Sequence, residues 1–385
     1  MPKRVIILGS TGSIGRNALL VADNLPGAFE IVGLAAGSRW EELAEQVRRY
    51  QPRTVALSDP EAADHLAGHL DSIPTALLSG DDAAVRLVKE TECDFVLSGI
   101  VGAAGLPATL EAVRRGLTVG LANKEALVVG GGLVAEAAAA SGAKLIPVDS
   151  EHSAIHQAMR SGRREEVERL YLTGSGGPFR TWSLEQMRHV TPAEALRHPT
   201  WEMGPKITID SATMMNKALE IIEARWLFEV DPDRIEVVIH PESIIHSMVA
   251  FRDGSVVAQM GRPDMRTPIQ YAMTYPRRLA GCGEPLDFGE LGRLHFAPPD
   301  EERFGALRLG HRVARQGGTA GAALNAGNEA AVAAFLDGRI GFLDIVSIVE
   351  DVLERHAFDS EPDLDALMRV DAWARKEVAQ CCSVS

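Results

Sequence analysis

Apolar residues follow two rhythms along this chain. In its first third, short unbroken apolar runs alternate with stretches whose apolar positions recur every three or four residues. Val5–Leu8, Ile31–Ala35, Thr54–Leu57, Phe95–Leu97, Thr118–Leu121 and Leu145–Val148 have the length and content of buried strands. Between them Ile14–Asn24, Trp40–Tyr50, Pro107–Arg115 and Leu133–Ala140 carry helical spacing. Such alternation predicts crossover units and a mostly parallel sheet, with a first boundary near Val148.

From Asp149 the texture changes. Arg169–Leu172, Glu236–Ile239, Ser247–Phe251 and Ser255–Gln259 predict strands, with Asp253-Gly254 as the hairpin turn between the last two. Asn216–Phe228 has helical spacing. A second, mixed α/β domain to about residue 280 follows from this. Gly281–Pro299 is rich in Gly and Pro and predicts a linker. From Glu301 onward the chain is rich in Ala, Leu and Val without a convincing strand, which predicts a small helical domain.

The 385 residues leave room for two or three domains. A hydrophobic fraction of 46% and a charged fraction of 24% fit a soluble globular protein. Lys and Arg number 39 against 53 Asp and Glu, a net charge of -14. That balance argues against nucleic acid as a partner, and an anionic substrate must be gathered by local groups. No apolar run approaches the roughly 20 residues needed to span a bilayer, so no membrane partner is expected. The apolar stretch after Lys3-Arg4 stops at Gly9, too short for a signal peptide. Cys93, Cys282, Cys381 and Cys382 lack ligand-like spacing, and suggest neither a disulfide framework nor a zinc site. Together these features predict a reduced, cytoplasmic protein.

Chemistry is signalled first by Gly9-Ser10-Thr11-Gly12-Ser13-Ile14-Gly15, between a predicted strand and a predicted helix. Glycines there let the backbone approach a pyrophosphate at a helix N-terminus. After the second strand stands Ala35-Ala36-Gly37-Ser38-Arg39, with no acid at the strand end to bond ribose hydroxyls. Ser38 and Arg39 suit the extra phosphate of NADP instead. Asp149-Ser150-Glu151 offers carboxylates at i and i+2, which point the same way if the segment is extended. With a third oxygen donor they would suit magnesium or manganese; the competing reading is a helix cap. Glu220 is the candidate third ligand, sharing a helical face with Asn216 and flanked by Lys217. Thr173-Gly174-Ser175-Gly176-Gly177-Pro178 can present N–H groups to a phosphate. The stretch from His198 through Trp201 and Met203 to Lys206 predicts an ordered loop, able to act as a lid. Lys124, in Leu121-Ala122-Asn123-Lys124-Glu125, follows a strand, where ligands bind in this architecture.

Read together, these segments resemble the 1-deoxy-D-xylulose 5-phosphate reductoisomerase family over essentially the whole chain. The most specific stretches are GSTGSIG at Gly9, LANKE at Leu121, PVDSEHSAI at Pro147, LTGSGGPF at Leu172 and DSATMMNKALEIIEA at Asp210. HPESIIHSMVAFRDGS at His240 and GRPDMRTPIQYAM at Gly261 add to them. The resemblance implies reduction and rearrangement of the substrate to 2-C-methyl-D-erythritol 4-phosphate in non-mevalonate isoprenoid synthesis, using NADPH and a divalent metal, manganese or magnesium. It implies a homodimer of α/β class: a Rossmann-like parallel sheet over 1–148 binding NADPH, a central α/β catalytic and dimerisation domain over 149–280, a linker over 281–300 and a helical bundle over 301–385. By motif position, Asp149, Glu151 and Glu220 are the implied metal ligands. Ser150, Ser175, His198, Ser211, Asn216 and Lys217 would hold the substrate, Lys124 would contact its oxygen-bearing backbone, and Trp201 and Met203 would belong to the closing loop. Thr11, Gly12, Ser13, Ile14, Gly37, Ser38, Arg39, Asn123, Glu125 and Gly204 would lie at the cofactor.

Four positions depart from the family pattern. Ala126 replaces an expected Ser or Thr, Arg39 an Asn, and Gly321 and Gly327 a Pro and an Ala. Each glycine should loosen its helix by about 1 kcal/mol relative to Ala. Two rival readings share the glycine turn. One is a semialdehyde or acyl-phosphate reductase working through a cysteine thiolate, with Cys93 or Cys282 as nucleophile. The other is a non-catalytic NADP-sensing regulator, which would need neither the acids nor Lys124.

Overall fold

Strands β1 (Lys3–Leu8), β2 (Phe29–Ala36), β3 (Thr54–Leu57), β4 (Ala76–Ser79), β5 (Phe95–Ser98), β6 (Thr118–Leu121) and β7 (Lys144–Pro147) form one parallel sheet, ordered β4-β3-β2-β1-β5-β6-β7. Helices α1 (Ser13–Asn24), α2 (Trp40–Tyr50), α3 (Pro60–Ala67), α4 (Ala83–Glu90), α5 (Leu106–Arg114) and α6 (Glu125–Ser141) connect the strands. Val5, Ile6, Ile7 and Leu8 are all fully buried, as expected of a central strand covered on both faces. Strand order reverses between β1 and β5, so the loops leaving their carboxyl ends open a crevice there.

This computed structural model describes residues 1–70, 73–197 and 204–382. They divide into two compact units: the first takes those within 1–126, 133–153 and 264–284, the second those within 127–132, 154–263 and 285–382. Helix α7 (Ser150–Ala158) follows β7 directly. The segment from Asp149 to Glu151 is therefore not the extended stretch that the i, i+2 argument assumed; it is a helix start, with Asp149 Oδ1 accepting from Glu151 N at 3.2 Å. Helix α6 also begins earlier than its pattern predicts. Residues 126–131 are buried all round and offer no amphipathic stripe to read.

In the second unit, β8 (Val167–Gly174) leads through the short helices α8 (Leu184–Met187) and α9 (Pro192–Ala195) to α10 (Pro205–Ala212) and α11 (Met215–Phe228). Strands β9 (Ile235–Ile239), β10 (Ile245–Phe251) and β11 (Val256–Met260) complete a sheet ordered β11-β10-β8-β9. It is antiparallel except for the β8/β9 pair. The β10–β11 hairpin turns at Asp253-Gly254, where Gly254 has φ +88°.

Helix α12 (Arg266–Thr274) returns to the first unit, packing on α1, β6 and β7, and Lys3 Nζ donates to Met273 O at 2.6 Å. The Gly- and Pro-rich stretch that follows carries α13 (Phe288–Leu291) and is anchored to the second unit. Ala297 bridges Ile239, and Phe296 stacks on His240 with ring centroids 4.8 Å apart. The expected helices are α14 (Ala306–Gln316), α15 (Ala320–Leu336), α16 (Asp344–Arg355) and α17 (Leu364–Cys381). They share one apolar core with the sheet, from Leu170 and Val249 to Phe335 and Val352. Gly310 lets α14 approach α11 closely, because a Cβ there would lie 2.6 Å from Ala218 Cα. Among the described residues no helix is long and apolar enough to cross a membrane.

Candidate active site

In the first unit, four loops at the carboxyl edge of the parallel sheet carry the predicted chemistry. The glycine turn leaves β1 at Gly9, whose φ of +81° and whose missing Cβ, 2.5 Å from Gly99 O, both demand glycine. Gly15 lets α1 close on the turn: a Cβ there would lie 2.4 Å from Gly9 O and from Ser10 Cα. Gly12 is the N-cap of α1 and Ser13 its first residue, and no side chain caps the helix. Among the described residues no N-cap side chain takes the first-turn N–H groups, an arrangement that fits the pyrophosphate of a dinucleotide. Thr11 is buried in the turn, and Ile14 lies beneath Gly99. Beyond β2, the backbone of Gly37 and Ser38 leads to Arg39 at the N-cap of α2, where Trp40 N donates to Ser38 O.

The adjacent edges of β6 and β7 carry the second cluster. Asn123 orders the loops: its Nδ2 donates to the carbonyls of Ile100 and Gly102, and its Oδ1 accepts from Ala126 N at 2.9 Å. Glu125 opens α6 and is buried. Lys124 is only 6% exposed, and its Nζ lies 2.5 Å from Asp149 Oδ2. Asp149 Oδ1 lies 3.8 Å from His152 Nδ1, and Ser150 Oγ donates to Glu151 Oε2 at 2.5 Å. Two carboxylates and an ammonium thus occupy one helix start. Asp149 engages Glu151 N through one oxygen and Lys124 through the other, as the cap reading of Asp149-Ser150-Glu151 expects.

The second unit assembles its own set. Helices α10 and α11 meet at Met214, in the left-handed region with φ +62°. The turn brings Asn216 and Lys217 to the start of α11. Asn216 Nδ2 donates to Glu220 Oε1 at 2.5 Å, and Lys217 Nζ lies 2.6 Å from Oε2. Glu220 is fully buried, so the ammonium offsets a charge that burial alone would strongly disfavour. The turn after β8 lies beside this group. A Cβ at Gly174 would meet Lys217 Cε at 2.9 Å, and one at Gly177 would meet Ser211 O at 2.7 Å. Ser175, Ser211, Asn216 and Lys217 therefore gather around one end of α11. Gly204 is the N-cap of α10; His198, Trp201 and Met203 lie outside the described residues.

Two connections were not legible from the sequence. Asp210, buried in α10, takes Lys206 Nζ at 2.8 Å and Asn328 Nδ2 of α15 at 2.7 Å, which fixes the helix bearing Ser211. Asp210 and Lys206, four residues apart, were readable as a helix pair, but nothing local announces Asn328. Arg16 lies beside Arg39 through a shared carboxylate, a relation no local spacing reveals.

A glycine turn at the switch point of a parallel sheet, with acids and a lysine along the same edge, defines the class of the first unit as a dinucleotide-dependent oxidoreductase fold. Sequence comparison resolves the class further. Residues 5–131 match the family profile of 1-deoxy-D-xylulose 5-phosphate reductoisomerase, residues 145–228 that of its C-terminal domain, and residues 260–377 the DXP reductoisomerase C-terminal domain. A 1-deoxy-D-xylulose 5-phosphate reductoisomerase of Heliobacterium modesticaldum is 51% identical over 98% of this chain and 96% of its own length. One from Pseudomonas aeruginosa is 50% identical over 98% of both. The solved reductoisomerase of Zymomonas mobilis in complex with NADPH superposes with a TM-score of 0.94 at 43% identity, covering 99% of both chains. A DOX-P reductoisomerase solved with NADPH, fosmidomycin and magnesium also gives 0.94, at 39% identity over 99% of this chain and 98% of the other. The chain belongs to the 1-deoxy-D-xylulose 5-phosphate reductoisomerase family.

The cysteine-nucleophile alternative finds no support in the thiols. Burial pushes Cys93 up to about 11, far from a thiolate at neutral pH. Cys282 Sγ lies 3.7 Å from Gln270 Oε1, an acceptor that cannot deprotonate it.

Proposed function

We propose that this chain is an NADPH- and divalent-metal-dependent reductoisomerase that converts 1-deoxy-D-xylulose 5-phosphate to 2-C-methyl-D-erythritol 4-phosphate. The observation that carries the reading is the full-length relationship to reductoisomerases at about half identity. Asp149, Glu151 and Glu220 are the metal ligands in this reading. Their donor chemistry supports it, since hard carboxylate oxygens suit magnesium or manganese. A bound cation would supply Lewis-acid polarisation of substrate oxygens, and NADPH would supply the hydride.

The remaining roles belong to side chains of this chain. Lys124 faces the acids and stabilises negative charge developing on a substrate oxygen. Ser150, Ser175, Ser211, Asn216 and Lys217, with His198, hold the sugar phosphate. Its non-reacting phosphate supplies binding energy that aligns the reacting carbons. Thr11, Gly12, Ser13, Ile14, Gly37, Ser38 and Arg39, with Asn123, Glu125 and Gly204, form the cofactor site, and Trp201 and Met203 cover the reaction. Cofactor binding falls to residues 1–148 and catalysis to 149–280, joined through 281–300 to a helical domain over 301–385. The chain acts as a homodimer; the exposed apolar side chains of Val256, Phe288 and Phe296 fit an interface on the second unit. A reducing cytoplasm fits its four free cysteines.

The test is NADPH oxidation with 1-deoxy-D-xylulose 5-phosphate, before and after chelation. Turnover that stops with chelator and returns with magnesium or manganese supports the reading. Undiminished turnover in metal-free enzyme refutes the metal role, and no turnover under any condition refutes the activity.

A further inference from the structure

Beside the glycine turn, one carboxylate is shared by two guanidiniums. Glu42, in the first turn of α2, accepts from Arg39 Nη1 through Oε1 at 3.3 Å and lies 3.4 Å from Arg16 Nη1 through Oε2. Arg39 stands at the N-cap of α2, and Arg16 follows Gly15 in the first turn of α1. The surrounding backbone is braced. Gln46 Nε2 donates to Ser10 O at 3.0 Å, tying α2 to the glycine turn. Trp40 stacks on His65 at 5.5 Å and lies 5.0 Å from His69, fixing the start of α2 against α3. The two arginine side chains remain 55% and 50% exposed, so their heads are open to a ligand while their anchors are held.

We infer that Arg16 and Arg39 form a paired seat for a phosphate monoester, the 2′-phosphate that separates NADPH from NADH, and that Arg16 is a specificity-determining residue. The inference rests on the NADPH reading above and adds a residue that the family motif does not supply. A carboxylate reached by two guanidiniums through different oxygens marks a point where an oxyanion is satisfied from both sides. A phosphate monoester offers the same donors more oxygens and nearly two negative charges, so it displaces a single carboxylate from them. Before the cofactor arrives, Glu42 offsets the mutual repulsion of the two guanidiniums. Once the phosphate is seated, the charge of Glu42 opposes it. Arg39 gives this chain a second guanidinium to pair with Arg16.

Binding of NADPH and of NADH, followed by cofactor fluorescence without sugar phosphate, tests this in wild type, Arg16→Ala and Glu42→Gln. Arg16→Ala should weaken NADPH about tenfold, the loss of one charge-assisted contact, and leave NADH essentially unchanged. Glu42→Gln should tighten NADPH and leave NADH unchanged. An unchanged NADPH/NADH preference in Arg16→Ala, an equal loss of both cofactors, or weaker NADPH binding in Glu42→Gln overturns the seat. Wild-type enzyme that binds neither cofactor overturns the NADPH reading itself. Preference retained in Arg16→Ala removes only the seat.

Discussion

Lys124 Nζ lies 2.5 Å from Asp149 Oδ2, at the adjacent carboxyl ends of β6 and β7. This ion pair places a fixed positive charge against a proposed metal ligand, and the two roles make opposite demands. The ammonium competes with a cation for the carboxylate, yet it is the group available to stabilise an oxyanion on the substrate. Lys124→Ala should therefore separate binding from turnover. Manganese affinity, measured by electron paramagnetic resonance, should hold or rise, while kcat falls about a hundredfold or more. A variant that loses metal and turnover together would show Lys124 serving only to order Asp149.

Gly321 and Gly327 lie in α15, six residues apart, and the structure gives them opposite characters. A Cβ at Gly321 would lie 1.8 Å from Val128 O, so the glycine is required by close backbone approach. A Cβ at Gly327 would meet Val352 and Val349 at 3.6–3.9 Å, ordinary contact. The expectation that both merely loosen the helix is corrected at Gly321. Gly327→Ala should stabilise the fold by about 0.5–1 kcal/mol, and Gly321→Ala should destabilise it by more than that. Chemical denaturation of both variants checks the pair; equal shifts would contradict the assignment.

Burial, reinforced by the nearby charge of Arg160, lowers His156 of α7 to about 4. The folded state therefore favours the neutral ring, whereas the unfolded chain takes up its proton near pH 6.5. The sign follows: this histidine adds no penalty above pH 6.5, and stability falls as the pH drops from there toward 4. The loss is on the order of 3 kcal/mol at most. His156→Gln should flatten the pH dependence of unfolding across that window. An unchanged profile would place the acid sensitivity elsewhere.

Much of the first unit was legible because its strands are short, apolar and bounded by turn residues. β3 and β6 lie at their predicted positions, and the others found from the pattern differ by one or two residues. β4 escaped the reading although Ala76-Leu77-Leu78 is an apolar run; only Leu78 of its four residues is buried. α12 belongs to the first unit because Ile269, Tyr271, Ala272 and Met273 are buried in its core, and a pattern of buried positions does not say which core receives them. Within the candidate site, local spacing exposed Asn216, Lys217 and Glu220, since Glu220 lies four residues after Asn216 and three after Lys217 on one helix. Contacts made between elements, such as Asn328 with Asp210 or Arg16 with Glu42, leave no such trace in the sequence.

The central claim is that Asp149, Glu151 and Glu220 hold one divalent cation. Anomalous diffraction from crystals grown with manganese tests it directly. The account predicts one strong peak bonded at about 2 Å to carboxylate oxygens of all three residues, and its loss in Glu220→Gln. A manganese peak elsewhere, or one that persists unchanged in Glu220→Gln, would contradict it.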